Sequence, residues 1–184
     1  SQIIAEITQQ ARKSPEINQR SGVSVRASVS NYEALLANAL RRSIHTGEQD
    51  VVPRISDLPF VVPSLQGKIE FEAMEEGRED KIMDKLFTDA IKAVYSRFAN
   101  LEEVEHISLQ FNEGLHVTTG ESIPSADYQD IIRRIEGLEE AVSKLANTDS
   151  PAVRASAAEF IFEGLHINQL LNKDRVGGRT TYRG

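Results

Sequence analysis

Gln19-Arg20-Ser21-Gly22-Val23-Ser24-Val25-Arg26-Ala27-Ser28 is the stretch from which the fold reads most directly. A polar turn gives way to Ser24, a residue suited to capping a helix, and Val25, Val29, Tyr32, Leu36 and Leu40 then recur at helical spacing. The expectation is a long helix from about Ser24 to Ile44 with those residues as one buried stripe. Arg26 lies beside that stripe in the first turn. The helix dipole puts partial positive charge there, so a guanidinium calls for an anion, either a nearby carboxylate such as Glu33 or something outside the chain.

Working outward, the remaining sequence also reads as helix. Ile3, Ile4, Ile7 and Ala11 predict a first helix closed near Ser14-Pro15, because the residue before a proline avoids the helical region. Residues 51–63 hold three of the six prolines and read as a short helical connection between turns. Ile82, Leu86, Ala90, Val94 and Phe98 mark one face of a strong helix that starts near Gly77 with Glu79 and Asp80 and ends with Arg97. Beyond residue 100, helices are expected over Leu101 to Asn112, closed by Gly114, then over Ser125 to Ile135, Leu138 to Ala146 and Pro151 to Leu171. Val117 to Pro124 reads as a polar loop. Lys173 to Gly184, with Gly177-Gly178 and four cations against Asp174 alone, reads as a mobile basic tail, solvated or docked on an acidic partner. The expected fold class is therefore all-α, with a helical lid-like domain over residues 1–100 and a helical extension over 101–184.

The run Gly22-Val23-Ser24-Val25-Arg26-Ala27 followed by an aliphatic helix resembles the sensor-2 region of AAA+ ATPases, and within them the MoxR-like and magnesium chelatase ATPase-subunit group. The likeness is strongest over about residues 1 to 45 and continues more loosely through Gly67-Lys68-Ile69-Glu70-Phe71-Glu72. It implies a small helical lid that follows a nucleotide-binding core, with Arg26 as the sensor-2 arginine that reaches the γ-phosphate of ATP. An arginine fork at a helix N-terminus suits a phosphate. ATP and magnesium would belong to the intact parent, with the upstream core, neighbouring subunits of a ring and a client protein as partners. The chain itself contains no Gly-x-x-x-x-Gly-Lys-Ser/Thr loop and no apolar strand ending in Asp-Glu, so the fragment is expected to hold no cofactor and to carry no catalytic residues of its own. Ser1-Gln2, entering a helical pattern at once, is consistent with a boundary just past such a core.

Composition narrows the remaining classes. The chain has 184 residues, 28 acidic against 21 basic, for a net charge of −7, which opposes general binding to nucleic acid or anionic membranes. It has no cysteine, which removes disulfides and thiolate chemistry. It shows no long apolar run and no export-signal pattern, so a cytoplasmic location is expected.

One internal echo competes with the resemblance. Glu113-Gly114-Leu115-His116 recurs as Glu163-Gly164-Leu165-His166, and Glu-x-x-His on helices is the ligand spacing of di-metal carboxylate bundles. The glycine after each glutamate argues instead for packing, with Leu115 and Leu165 as buried anchors and a neighbouring helix approaching closely. The acidic run Glu70, Glu72, Glu75, Glu76, Glu79 and Asp80 lacks the alternating ligands of a calcium loop and reads as a solvated helix start. A free-standing helical adaptor is the other alternative.

Overall fold

The computed structural model describes residues 2–18, 23–72 and 77–184. The turn expected at Gln19–Gly22, and Glu75 and Glu76 of the acidic run, lie outside the described residues. The elements are α1 (Gln2–Lys13), α2 (Val25–Thr46), a 3₁₀ helix (Ile55–Val61), α3 (Val62–Gln66), α4 (Arg78–Phe98), α5 (Leu101–Asn112), β1 (His116–Gly120), α6 (Ser125–Arg134), α7 (Leu138–Leu145), α8 (Pro151–Ile167), β2 (Asn172–Val176) and β3 (Arg179–Arg183). The chain divides into two compact units, residues 1–35 with 58–94 and residues 36–57 with 95–184.

The first unit is helical, as its periodicity predicts. α1 buries Ile4, Ile7 and Ala11, and α4 buries Ile82, Leu86, Ala90 and Val94, while Phe98 at the end of that row is exposed. Between helices the chain makes an antiparallel bridge at Ile17 and Phe71, with the Asn18 N–H donating to the Glu70 carbonyl at 2.8 Å and the Glu72 N–H to the Glu16 carbonyl at 3.0 Å. The Arg12 Nε donates to the Val23 carbonyl at 2.8 Å, which ties the entry of α2 to the end of α1.

The second unit departs from the all-α expectation. It contains a three-stranded antiparallel sheet in the order β1-β3-β2, with Val117 opposite Tyr182 and Lys173 opposite Tyr182 from the other side. The basic tail is therefore a β-hairpin, and the loop expected at residues 117–124 begins as a strand. The physical reasons lie in the residues themselves. Val117, Thr118 and Thr119 are β-branched, and Gly177-Gly178 takes positive φ at both positions (58° and 79°), the geometry of a two-residue hairpin turn rather than of a loose linker. Tyr182 drives its ring into the core, where it is 1% exposed and lies 5.7 Å from the Phe162 ring. Burying an aromatic side chain of this size contributes about 2 to 3 kcal/mol.

The core of this unit collects Val104, Ile107 and Phe111 of α5, Tyr128 and Ile132 of α6, Leu138 and Val142 of α7, and Ala155, Ala158, Ile161, Phe162 and Leu165 of α8. α8 is apolar almost all round and is covered accordingly. It begins where Pro151 predicts and stops at Ile167, four residues short of the expected end, as Gln169 turns the chain at φ 64°.

Candidate functional site

α2 is turned opposite to the sequence expectation. Of the expected stripe, Val25 (68% exposed), Val29 (53%), Tyr32 (40%) and Leu40 (48%) face solvent and Leu36 is half-buried, and Ile44 beyond it is 73% exposed, so most of the expected buried stripe is an outward one. Ala27, Asn31, Leu35, Asn38, Ala39, Arg42 and Ser43 face inward. At 100° per residue Ala27, Asn31, Leu35, Asn38 and Arg42 lie roughly opposite the outward row, whereas Ala39 and Ser43 are buried on the same side as that row, in the C-terminal half of the helix. Periodicity identifies an apolar face; it does not say whether the partner of that face belongs to the same chain. Arg26 is exposed in the first turn, beside Val25 and Val29 and on the rim of the apolar row. An exposed guanidinium over the positive end of a helix offers an oxyanion two like-signed sources of attraction and a planar fork of donors.

In the second unit, the inward side chains of α2 build a buried charge network. The Arg42 guanidinium, fully enclosed, donates to both Asp57 carboxylate oxygens at 3.2 Å, to Glu48 Oε2 at 3.0 Å and to the Val52 carbonyl at 2.6 Å. Asp57, also fully enclosed, accepts in addition from Asn38 Nδ2 and from the Arg54 N–H, each at 2.8 Å. Glu48 continues the chain of contacts, accepting from Arg54 Nη2 at 2.8 Å and from the Ser125 N–H at 2.6 Å, where α6 begins. Arg54 donates to the Ile123 carbonyl at 2.8 Å and to Ser125 Oγ, and its guanidinium carbon lies 4.8 Å above the centre of the Tyr128 ring. The network ends at Glu159 of α8, which accepts from the Ser56 N–H at 2.7 Å, from Ser56 Oγ at 3.1 Å and from the Tyr128 hydroxyl. Residues 47–57, a segment with little regular structure, are thereby fixed to α2, α6 and α8.

Burial sets the protonation chemistry of this network. Glu159 lies above its ordinary range because desolvation penalises its charge, and the Tyr128 hydroxyl, Arg54 and Ser56 offset that only in part. For Glu48, burial works in the same direction but is outweighed by the Ser125 N–H bond and the charges of Arg54 and Arg42, so it lies below its ordinary range. Tyr128 is pushed well up by burial and by the neighbouring Glu159 charge. The signs give opposite pH dependences. Glu48 stabilises the fold above its ordinary 4.5, and that contribution is lost as pH falls. Glu159 costs stability as pH rises from 4.5 through its raised value. In urea unfolding between about pH 4 and pH 7, the stability gap between wild type and Glu48→Gln is therefore expected to widen with pH, and the gap for Glu159→Gln to narrow. Parallel profiles for the two variants would contradict the assignment.

The Glu-x-x-His pairs are used differently. Gly114, at φ 100°, ends α5, so Glu113 stays at the helix end while His116 opens β1, and both are exposed. Glu163 is 5% exposed and accepts from Lys173 Nζ and the Tyr182 hydroxyl, each at 2.7 Å. His166 Nδ1 lies 2.9 Å from the Leu171 carbonyl. Among the described residues no three His, Asp or Glu side chains are grouped to hold a metal ion. Leu165 is fully buried, whereas Leu115 is only partly buried and, among the described residues, nothing lies within 4 Å of where a Cβ on Gly114 would stand, so the close packing expected of both copies is found at the second alone. Gly164 admits the Tyr95 ring of α4, which lies 1.8 Å from where a Cβ would stand.

Sequence reasoning missed the charge network because Arg42, Glu48, Arg54, Asp57 and Glu159 look like ordinary surface charges. The available signal was positional: Arg42 falls on the same helical face as Leu35 and Ala39, and Glu159 sits between the apolar pairs Ala157-Ala158 and Phe160-Ile161. Among the described residues no helix is long and apolar enough to cross a membrane. In comparisons with known proteins, no protein-family model, no curated protein and no solved structure matches this chain.

Proposed function

We propose that the chain is the C-terminal, non-catalytic helical part of an AAA+ ATPase resembling the magnesium chelatase ATPase subunit and MoxR-like proteins. In this reading it contributes a sensor-2 arginine, Arg26, and subunit contacts to ATP-driven remodelling of a client or to metal insertion. ATP and magnesium are held by the upstream core of the parent. The observation that carries the reading is the placement of Arg26: an exposed guanidinium in the first turn of a 22-residue helix, flanked by the exposed apolar side chains of Val25, Val29 and Tyr32. Solvent gives those three residues no return for their exposure, whereas a nucleotide-binding core packed on them would bring a bound phosphate to the helix terminus that Arg26 occupies.

In the intact parent, Arg26→Ala is expected to lower ATP turnover by about 10-fold or more, because it deletes a charge-assisted phosphate contact. The thermal midpoint of the isolated chain should stay unchanged, since the side chain is exposed. Hydrolysis at the wild-type rate would overturn the sensor role. The same apolar row also suits a free-standing helical adaptor. That reading expects Val29→Glu to abolish partner capture while Arg26→Ala leaves it intact, whereas the ATPase reading expects both to impair turnover.

A further inference from the structure

The first turn of α2, which carries Arg26, is fastened to α1 by two directional contacts. Thr8 of α1 is 2% exposed; its hydroxyl donates to the Ile4 carbonyl one turn back at 3.1 Å and accepts from the Ser28 hydroxyl of α2 at 2.7 Å. Four residues on, and so on the same side of α1, Arg12 Nε donates to the Val23 carbonyl at 2.8 Å. The two contacts bracket Arg26, since Val23 stands three residues before it and Ser28 two residues after it. Apolar packing tolerates a helix that slides or rotates by a fraction of a turn. Hydrogen bonds do not, because they weaken steeply outside a narrow range of distance and angle. Thr8 and Arg12 therefore fix both the register and the rotation of this turn.

Stability alone does not account for the polar groups placed here. Asn31, one turn beyond Ala27 on the buried side of α2, is 0% exposed, and among the described residues neither end of its amide has a hydrogen-bond partner. An apolar side chain would hold this half of the helix more firmly than an amide that has given up its water. Arg26 has no support of its own. Among the described residues it has no ion-pair partner, and α2 has no acid in its first turn. A guanidinium binds phosphate well only where its fork meets the oxygens at hydrogen-bond distance, so the place from which this one reaches is set by the turn beneath it.

We propose, building on the sensor reading of Arg26, that Thr8 and Arg12 are positioning residues for that arginine. α1 splints the first turn of α2 and sets the point from which the guanidinium reaches a phosphate. Neither Thr8 nor Arg12 touches the nucleotide; both act through Arg26.

The test has one arm on the 184-residue chain and one on the intact parent. Thr8→Val keeps the shape of the side chain without its hydroxyl, and Thr8→Ser keeps the hydroxyl. In the chain alone, amide hydrogen exchange from Ala27 to Asn31 is expected to quicken by about 10-fold or more in Thr8→Val and in Arg12→Ala, with Thr8→Ser close to wild type and α8 unaffected in all three. In the parent, Thr8→Val should lower kcat for ATP by about 3-fold or more with little change in KM, and Thr8→Ser should restore it. The loss should vanish in the Arg26→Ala background, where nothing is left to position. A residue that only stabilised the fold would lower turnover in both backgrounds. Unchanged exchange in Thr8→Val and Arg12→Ala, an unchanged kcat in Thr8→Val, or equal losses with and without Arg26 would each overturn the proposal while leaving Arg26 as the sensor. Turnover untouched by Arg26→Ala would instead overturn the sensor reading, and this proposal with it.

Discussion

Asp57→Ala is expected to destabilise the second unit by about 3 to 5 kcal/mol, the range for removing one partner of a buried ion pair. Asp57 is fully enclosed and accepts four hydrogen bonds: one from Asn38, two from Arg42 and one from the Arg54 backbone. Its loss leaves the Arg42 guanidinium, itself fully enclosed, with only Glu48 and the Val52 carbonyl, and leaves a backbone N–H without an acceptor. The cost arises from those stranded groups and not from the pair's own attraction, which desolvation largely cancels. Replacing both partners removes the stranded charge. Arg42→Met/Asp57→Ala is therefore expected to cost clearly less than the sum of the two single changes, as measured by urea unfolding followed by circular dichroism. Additive losses would show that Arg42 and Asp57 do not act as a unit.

How much of this was legible in the sequence depended on whether the relevant signal was local. The end of α5 could be placed because Gly114 supplies the positive φ that stops it; its start is set by Asn100, which accepts from the Glu102 N–H at 3.2 Å. Pro151, favoured at the first helical position, located the start of α8. The sheet was not legible because its strands are five residues each and β1 pairs with β3 across 59 to 67 positions of chain. A short β-branched run and a Gly-Gly pair carry the information separately, and only their pairing, fixed by Tyr182 entering the core, makes them a sheet.

The orientation of α2 was hidden for a different reason. The residues that decide it, Asn38 and Arg42, face inward to reach Asp57, fifteen to nineteen positions along the chain. Hydrophobic periodicity counts apolar side chains and is blind to polar ones that acquire partners. The candidate site follows the same division. Arg26 and the start of its helix were visible from the local motif, whereas the exposure of Val25, Val29 and Tyr32 could be known only once the inward face of the helix was occupied by other residues.

Gly164→Ala carries the other large expected loss, about 2 kcal/mol or more, and it runs against the usual preference. Alanine inside a helix ordinarily gains up to about 1 kcal/mol over glycine. Here the new methyl would stand 1.8 Å from Tyr95 Cε2, 2.2 Å from Cδ2 and 2.3 Å from Cζ. The Tyr95 ring is 2% exposed and packs 5.3 Å from the Phe160 ring, so it has little room to withdraw. Among the described residues its hydroxyl has no hydrogen-bond partner, and burial pushes its pKa up to about 12, so the ring is held by packing rather than by a polar anchor. That separates the possible sources of the effect. Tyr95→Phe keeps every clashing atom and should leave Gly164→Ala as damaging as before, whereas Tyr95→Leu, which removes the ring, should recover much of the loss in the double variant. A neutral Gly164→Ala in thermal unfolding, or a double variant with Tyr95→Leu that shows no recovery, would mean that α4 and α8 do not meet through this glycine.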